Sequence, residues 1–263
     1  MPSLATDVPT VVGKTLRRIF PARYRPIGYL NHLAQKRTAG RVHAGPFAGM
    51  RYVNLSVGSC FIPKLLGTYE RELARKLELI CRRQPGLVID IGAAEGYYAI
   101  GLAYRISHAQ VVAFESDETG QAALRAMAQL NGVADRLTVR GRCEPEDLAA
   151  ALEGHPAPVV ICDVEGYEEA LLDPQEVAGL REAIVLVETH EFVRRGITDE
   201  LCRRFSHSHA IERIWQEPRS RAEFPWRTLG TALLPVSYLD WAVSEWRPER
   251  MSWLWMTPRS IDG

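Results

Sequence analysis

The stretch LVIDIGAAEGYYAIGLA, residues 87 to 103, constrains this chain more than any other. Leu87, Val88 and Ile89 form a short apolar run of the kind buried in a parallel sheet. The run ends at Asp90, and a turn of small residues follows: Gly92, Ala93, Ala94, Glu95 and Gly96. From Tyr97 and Tyr98 onward the pattern is helical. Strand, small-residue turn and helix together place a ligand at the carboxyl end of the strand. Glycine at positions 92 and 96 lets the backbone come close to it, because no Cβ intervenes.

The spacing is D-x-G-x-x-x-G, not the G-x-G-x-x-G of dinucleotide sites. Asp90 stands where that fingerprint has its first glycine, and a carboxylate there would repel a pyrophosphate. It would attract a cation. S-adenosylmethionine, with a sulfonium and an ammonium, suits this turn better than NAD.

Composition narrows the rest. Lys+Arg and Asp+Glu are both 32, so the formal net charge is zero. That argues against a nucleic-acid binder, which would carry a basic excess. The five cysteines form no C-x-x-C pair, which favours a reducing cytoplasm over a disulfide framework or a structural zinc site. No apolar run approaches the roughly 18 residues of a membrane span. The first 13 residues read as loose and lack the pattern of a secretory signal. Lys14 to Lys36 is the one basic region, with the helix-like pieces KTLRRIF and YLNHLAQKR broken at Pro21 and Pro26; it reads as a solvated face or a partner surface.

Residues 45 to 58 suggest short β pieces between glycines. Residues 64 to 83 predict one amphipathic helix with Thr68 as its N-cap and Pro85-Gly86 as its stop. Tyr69 and Glu70, at its start, then reach the ligand. A second strand, 109 to 117, carries Glu115 and Ser116. An acidic residue about 20 positions beyond the turn is placed to grip a ribose diol. The third strand, 136 to 143, brings Arg142 and Cys143 towards an adenine ring. The fourth, Val159 to Cys162, runs into Asp163, Glu165 and Gly166. The fifth, 183 to 192, runs into Glu188, His190 and Glu191. If these two strands are neighbours, Asp163, Glu165, Glu188 and His190 converge. Imidazole near neutral pH suits general-base work. The same four residues offer a divalent metal oxygen and imidazole ligands, as an alternative to no metal. Residues 209 to 217 and 252 to 258 give two further strands, separated by an irregular stretch, 218 to 250, with a helical piece around Leu239 to Trp246. Trp226, Trp241 and Trp246 in it either fill core or line a substrate pocket.

The motifs IDIGAAEGYYAIGLA, VVAFESD and CDVEGYEEALL, with GTYEREL ahead of them, resemble class I S-adenosylmethionine-dependent methyltransferases. More narrowly, the DVEG tetrapeptide is similar to that of the FkbM-like family. The likeness spans roughly residues 64 to 192. Where this chain has Glu95 that family usually has Asn or a small residue, and where it has Cys162, Lys. The resemblance implies an α/β fold with a doubly wound, mostly parallel sheet of seven strands in the order 3-2-1-4-5-7-6, the last antiparallel. It also implies O-methylation of a sugar, lipid or secondary metabolite.

These readings combine into one expectation. Residues 1–63 form an N-terminal helical and β extension, a lid or an oligomer contact, and residues 64–263 a cofactor-binding methyltransferase domain with an insertion near 218–250. Tyr69, Glu70, Asp90, Gly92, Ala93, Glu95, Gly96, Tyr97, Glu115, Ser116, Arg142, Cys143 and Asp163 surround S-adenosylmethionine. His190, Asp163 and Glu188 act on the acceptor, a small molecule; a homodimer is compatible with the sequence. Two rivals are weighed against this. Enzymes that methylate exocyclic amines use an N/D-P-P-Y/F turn after strand four, and DVEG lacks its prolines and aromatic. A non-catalytic ligand-binding module leaves the polar strand ends without a role.

Overall fold

The central strands are short and apolar, and each buries both of its faces. Leu87–Ile91 forms β1, buried along its whole length, and it pairs in parallel with β2 (Gln110–Phe114) and β4 (Val159–Cys162). The computed structural model describes residues 25–259, apart from Leu55 and Gly58. Beyond β2 lies β3 (Leu137–Arg140), and beyond β4 lies β5 (Ile184–Thr189), both parallel. The sheet closes with β6 (His209–Trp215) and β7 (Ser252–Pro258), and β7 runs antiparallel to both β5 and β6. The order is β3-β2-β1-β4-β5-β7-β6, as the resemblance implied.

Alternation along the strands divides the interior into two cores. Val88, Val111, Val159, Ile161 and Leu186 face one side with α3 (Ala74–Arg83), α4 (Tyr97–Arg105) and α5 (Glu118–Asn131). Ile89, Val160, Val185 and Val187 face the other with α6 (Pro145–Leu152) and α8 (Ile197–Phe205). Between them in the chain, a single-turn helix, α7 (Glu168–Leu171), follows β4. Both faces of β1 are therefore covered, which fits its unbroken apolar reading.

Three local expectations are corrected. Residues 64 to 83 are not one helix. A first piece, α2 (Phe61–Leu66), ends at Gly67 in a left-handed conformation, and α3 starts only at Ala74 after a 3-10 turn. Thr68 caps nothing; its hydroxyl is buried without a hydrogen-bond partner. A side chain at Gly67 would collide with the Ala44 carbonyl, so packing against residue 44 breaks a segment whose periodicity reads as continuous. Residues 45 to 58 hold no strand among those described; the nearest feature is an isolated bridge between Arg41 and Arg51. Pro26 does not break a helix but opens α1 (Pro26–Thr38), a position where its missing N–H costs nothing. The piece KTLRRIF and Pro21 lie outside the described residues.

Leu30, Leu33 and Ala34 of α1 join the same core as β1, and Tyr29 Oη lies 3.0 Å from Thr228 Oγ1 at the start of α9 (Leu229–Leu233). The stretch between β6 and β7 also carries α10 (Val236–Val243), a few residues ahead of the helical piece read from the sequence. No helix among the described residues is long and apolar enough to cross a membrane.

Candidate active site

The chain crosses over at β1, which has β2 on one side and β4 on the other, and a crevice opens there at the carboxyl ends of the strands. It holds a cavity of about 770 Å³. One wall is the glycine turn. Gly92 and Ala93 both donate their N–H to the Phe114 carbonyl, at 2.9 and 3.0 Å, so the turn is stitched to β2. Ala94 donates to Glu115 Oε2 at 2.7 Å, and Asp117 N–H donates to Glu115 Oε1 at 2.7 Å. Glu115 is thereby fixed at the end of β2 with lone pairs left for a diol. Gly92 has φ +84, and a Cβ there would fall on the Asp163 carbonyl oxygen. Gly92→Ala is thus expected to cost about 2–3 kcal/mol through strain and forced separation of β1 from β4. Chemical denaturation measures it, and a loss within about 0.5 kcal/mol would show that the turn gives way freely.

Asp90 accepts from Ala99 N–H at 2.8 Å beneath the same turn. Burial pushes its carboxyl up to about 7, against the pull of that hydrogen bond. Of the residues expected at the cofactor, the cavity is lined by Tyr69, Asp90, Gly92, Ala93, Tyr97, Glu115, Ser116, Arg142, Cys143 and Asp163. The Arg142 guanidinium sits 4.4 Å from the centre of the Tyr167 ring, which closes that end.

Three expected residues stand behind the wall instead of in it. Gly96 (φ +96) caps α4, and its α-hydrogens face Leu124 and Ile100. Glu95 is fully buried and pairs with Lys64 Nζ at 2.6 Å while accepting from Tyr52 Oη at 2.6 Å and Val57 N–H at 2.9 Å. Glu70 is buried between Arg247 and the Tyr98 hydroxyl, which donates to it. Burial raises Glu70 to about 7 despite Arg247.

The facing wall comes from the ends of β4 and β5. His190 Nε2 lies 3.4 Å from Asp163 Oδ1 and 3.9 Å from Glu188 Oε2. Asp163 keeps 30% of its side chain open, whereas His190 and Glu188 are almost wholly covered. Desolvation raises Asp163, and His190 and Arg247 pull it back. Desolvation also raises Glu188 well above the carboxylate range. Burial would lower His190, but a hydrogen bond with Glu168 and the charges of Asp163 and Glu165 outweigh it and leave the imidazole raised. Glu165 lines the cavity but stands apart from this group.

Donor atoms of Asp163, Glu188 and His190 lie within 4.8 Å of one another, a spacing that a divalent ion fits. The electrostatics fit it less well. The Arg247 guanidinium already bridges Glu188 and Glu70, so one Glu188 oxygen is committed to a cation. A metal on the other oxygen would put two cations on one carboxylate.

Two residues, Arg247 in this wall and Glu168 buried behind it, carry no sequence signal. Arg247 lies in the irregular stretch before β7, where no periodicity marks it. Glu168 follows DVEG by two positions and looks like an ordinary acidic first-turn residue. Trp246, half-exposed and with φ +54, stands at the mouth and packs on Trp241 at 4.7 Å between ring centroids. Trp226 packs on Phe224 and His43, away from the cavity.

A seven-stranded sheet in this order, with β7 reversed and the glycine turn at its crossover, is the Rossmann-like methyltransferase fold. No protein-family model matches the chain, and no curated protein matches it by sequence. Among solved structures it is similar to an O-methyltransferase from Bacillus cereus in complex with S-adenosylhomocysteine, at 12% identity over 95% of this chain and 97% of that one, with a TM-score of 0.47. It is also similar to the O-methyltransferase TomG from Streptomyces achromogenes, involved in tomaymycin synthesis and solved with S-adenosylmethionine. That match has 14% identity over 94% of this chain and 96% of that one, with a TM-score of 0.46. A third match is the C-terminal domain of precorrin-6Y C5,15-methyltransferase from Rhodobacter capsulatus, at 16% identity over 71% and 87% of the two chains, with a TM-score of 0.42.

Proposed function

We propose that this chain is an S-adenosylmethionine-dependent methyltransferase acting on a hydroxyl of a small molecule. One observation carries the reading. A single cavity runs from Glu115 and the Ala94 turn to Asp163 and His190, so a cofactor-shaped wall and an acid–base wall face the same space. Bound there, S-adenosylmethionine supplies an electrophilic methyl group on a sulfonium. Glu115 accepts the ribose hydroxyls, and Tyr69 and Asp90 stand where the ammonium end enters. Arg142 and Cys143 border the adenine end.

The chain's own part in the chemistry is positioning and proton removal. The acceptor hydroxyl docks between Asp163 and His190. Its proton passes to His190 Nε2 as its oxygen takes the methyl carbon, and the electron pair of the broken carbon–sulfur bond stays on sulfur. Asp163 and Glu168 then face the imidazolium and stabilise its charge.

The DVEG tetrapeptide after β4 supports the finer FkbM-like reading, and with it a sugar or secondary metabolite as acceptor. All five cysteines are free thiols, which supports a cytoplasmic site of action.

Calorimetry with S-adenosylhomocysteine tests the cofactor wall. Glu115→Ala is expected to weaken binding by about 10-fold to 100-fold, the loss of charge-assisted hydrogen bonds. Affinity unchanged within about twofold would remove Glu115 from the site. Methyl transfer from labelled S-adenosylmethionine to a panel of glycosides and polyols tests the acceptor wall, and no product on any of them would favour the binding-module reading. Because Arg247 compensates Glu188, an excess of EDTA is expected to leave turnover unchanged. Loss of turnover restored by Mg²⁺ would reinstate the metal.

A further inference from the structure

His190 has two ring nitrogens, and they meet different surroundings. Nε2 faces the cavity beside Asp163 and Glu188. Nδ1 faces inward and lies 2.5 Å from Glu168 Oε1. Glu168 is wholly buried, and among the described residues its ion-pair partner is this imidazole, not an arginine or lysine. The same Oε1 accepts from Gly166 N–H at 3.1 Å, inside the turn that follows β4. Oε2 is buried with no hydrogen-bond partner. One carboxylate oxygen thus ties the turn that carries Asp163 to the ring that stands opposite it. Phe192 packs edge-on against that ring at 5.8 Å, which limits its rotation.

We infer that Glu168 is a positioning residue for the transfer: it holds the neutral His190 as the Nδ1–H tautomer and leaves Nε2 free to accept the proton of the substrate hydroxyl. A carboxylate can only accept, and Glu168 sits at 2.5 Å from Nδ1 whereas Asp163 stands 3.4 Å and Glu188 3.9 Å from Nε2, so the single proton of the neutral ring belongs on Nδ1. Without Glu168, the ring would put its proton on Nε2 and donate it to Asp163. It could then no longer serve as a base at that atom. The inference rests on the methyltransferase reading for its consequence, but not for its geometry. It also explains an acidic residue that packing alone would not bury at 0% exposure within one helical turn of the cavity.

The test reads the tautomer directly and needs no acceptor. Histidine labelled with ¹⁵N is incorporated into the full chain, and long-range proton–nitrogen spectra are recorded on the high-pH plateau, with and without S-adenosylhomocysteine. His190→Gln assigns the signal among the seven histidines. The wild type is expected to show the Nδ1–H form in both samples. Glu168→Gln, whose amide oxygen still accepts, is expected to keep that form with a weaker hydrogen bond. Glu168→Leu is expected to shift the tautomer ratio towards Nε2–H by about tenfold or more. An Nε2–H ring in the wild type, or an unchanged ratio in Glu168→Leu, would overturn the inference. Should Glu168→Leu fail to fold, the wild-type and Glu168→Gln spectra decide alone. Failure of the methyltransferase reading would show elsewhere, as no response to S-adenosylhomocysteine and no methyl transfer, with the tautomer untouched.

Discussion

His190→Gln is expected to lower methyl transfer by about 10²-fold to 10⁴-fold while S-adenosylhomocysteine binds within about threefold of wild type. The imidazole lies across the cavity from Glu115 and the glycine turn, so removing it takes away the base and leaves the cofactor wall intact. Glutamine fills much of the same space and can still donate towards Glu168, which avoids stranding that buried carboxylate. The pH profile adds a second reading of the same site. The carboxylates around the ring hold its pKa above 6.5 against the effect of burial. A base works only when deprotonated, so turnover rises with pH and its acid limb lies above 6.5. Glu168 from α7 and Asp163 and Glu165 from the turn after β4 raise the ring, and Glu188 from β5, paired with Arg247 from the loop before β7, faces its Nε2. Asp163→Asn removes one anion beside Nε2 and is expected to move the limb to lower pH while slowing the plateau rate. The rate is read on whichever acceptor of the panel is methylated. Full turnover in His190→Gln, or a limb that ignores Asp163→Asn, would take His190 out of the mechanism.

The sheet was legible because its signals are local. An apolar run buried on both faces reads the same way whatever surrounds it, and all seven strands lie where such runs or alternations occur. That Asp90, Gly92 and Glu115 share one cavity wall was legible for a related reason: they sit at strand ends, and the ends of parallel strands meet at one edge. Tertiary contacts decided what was missed. Gly67 is left-handed because Ala44 crowds it, and nothing near residue 67 in sequence announces residue 44. Its place in the glycine turn makes Glu95 look like a ligand contact. Its side chain turns away because Lys64, 31 positions earlier, waits beneath it. Arg247 reaches Glu70 from 177 positions away, and a charge on an irregular segment has no periodicity to betray it. What the sequence misplaced, then, are buried ion pairs across long separations. Each of them holds a loop to the rim of the crevice, not a ligand within it.

Lys64→Met is expected to destabilise the protein by about 3–5 kcal/mol, because it strands the Glu95 carboxylate in the core. Side-chain exposure is 4% for Lys64 and 0% for Glu95, so no water replaces the lost ammonium. The midpoint of thermal unfolding should fall by about 10 °C for a chain of this size. The pH dependence fixes the sign. Burial alone would raise Glu95, but Lys64 and the hydrogen bonds from Tyr52 and Val57 outweigh it and lower it below 4.5. In the wild type its contribution is present above the unfolded value and is lost as pH falls through the folded one. In Lys64→Met the unpaired carboxylate is raised instead, so it protonates on acidification and the penalty is relieved. The gap between variant and wild type should therefore begin to narrow above about 4.5, as pH falls through the raised value of the variant, and keep narrowing below it as the wild type loses its own pairing. Lys64→Met combined with Glu95→Leu removes both charges and should recover most of the loss. Val57, Ser59 and Lys64 line the cavity, and Glu95 anchors two of these three directly. Loosening that anchor should weaken S-adenosylhomocysteine binding in the single variant even where it remains folded. A single variant within about 1 kcal/mol of wild type at neutral pH would show that the pair adds no more than an exposed one, and that the segment from Tyr52 to Lys64 is held by its apolar contacts instead.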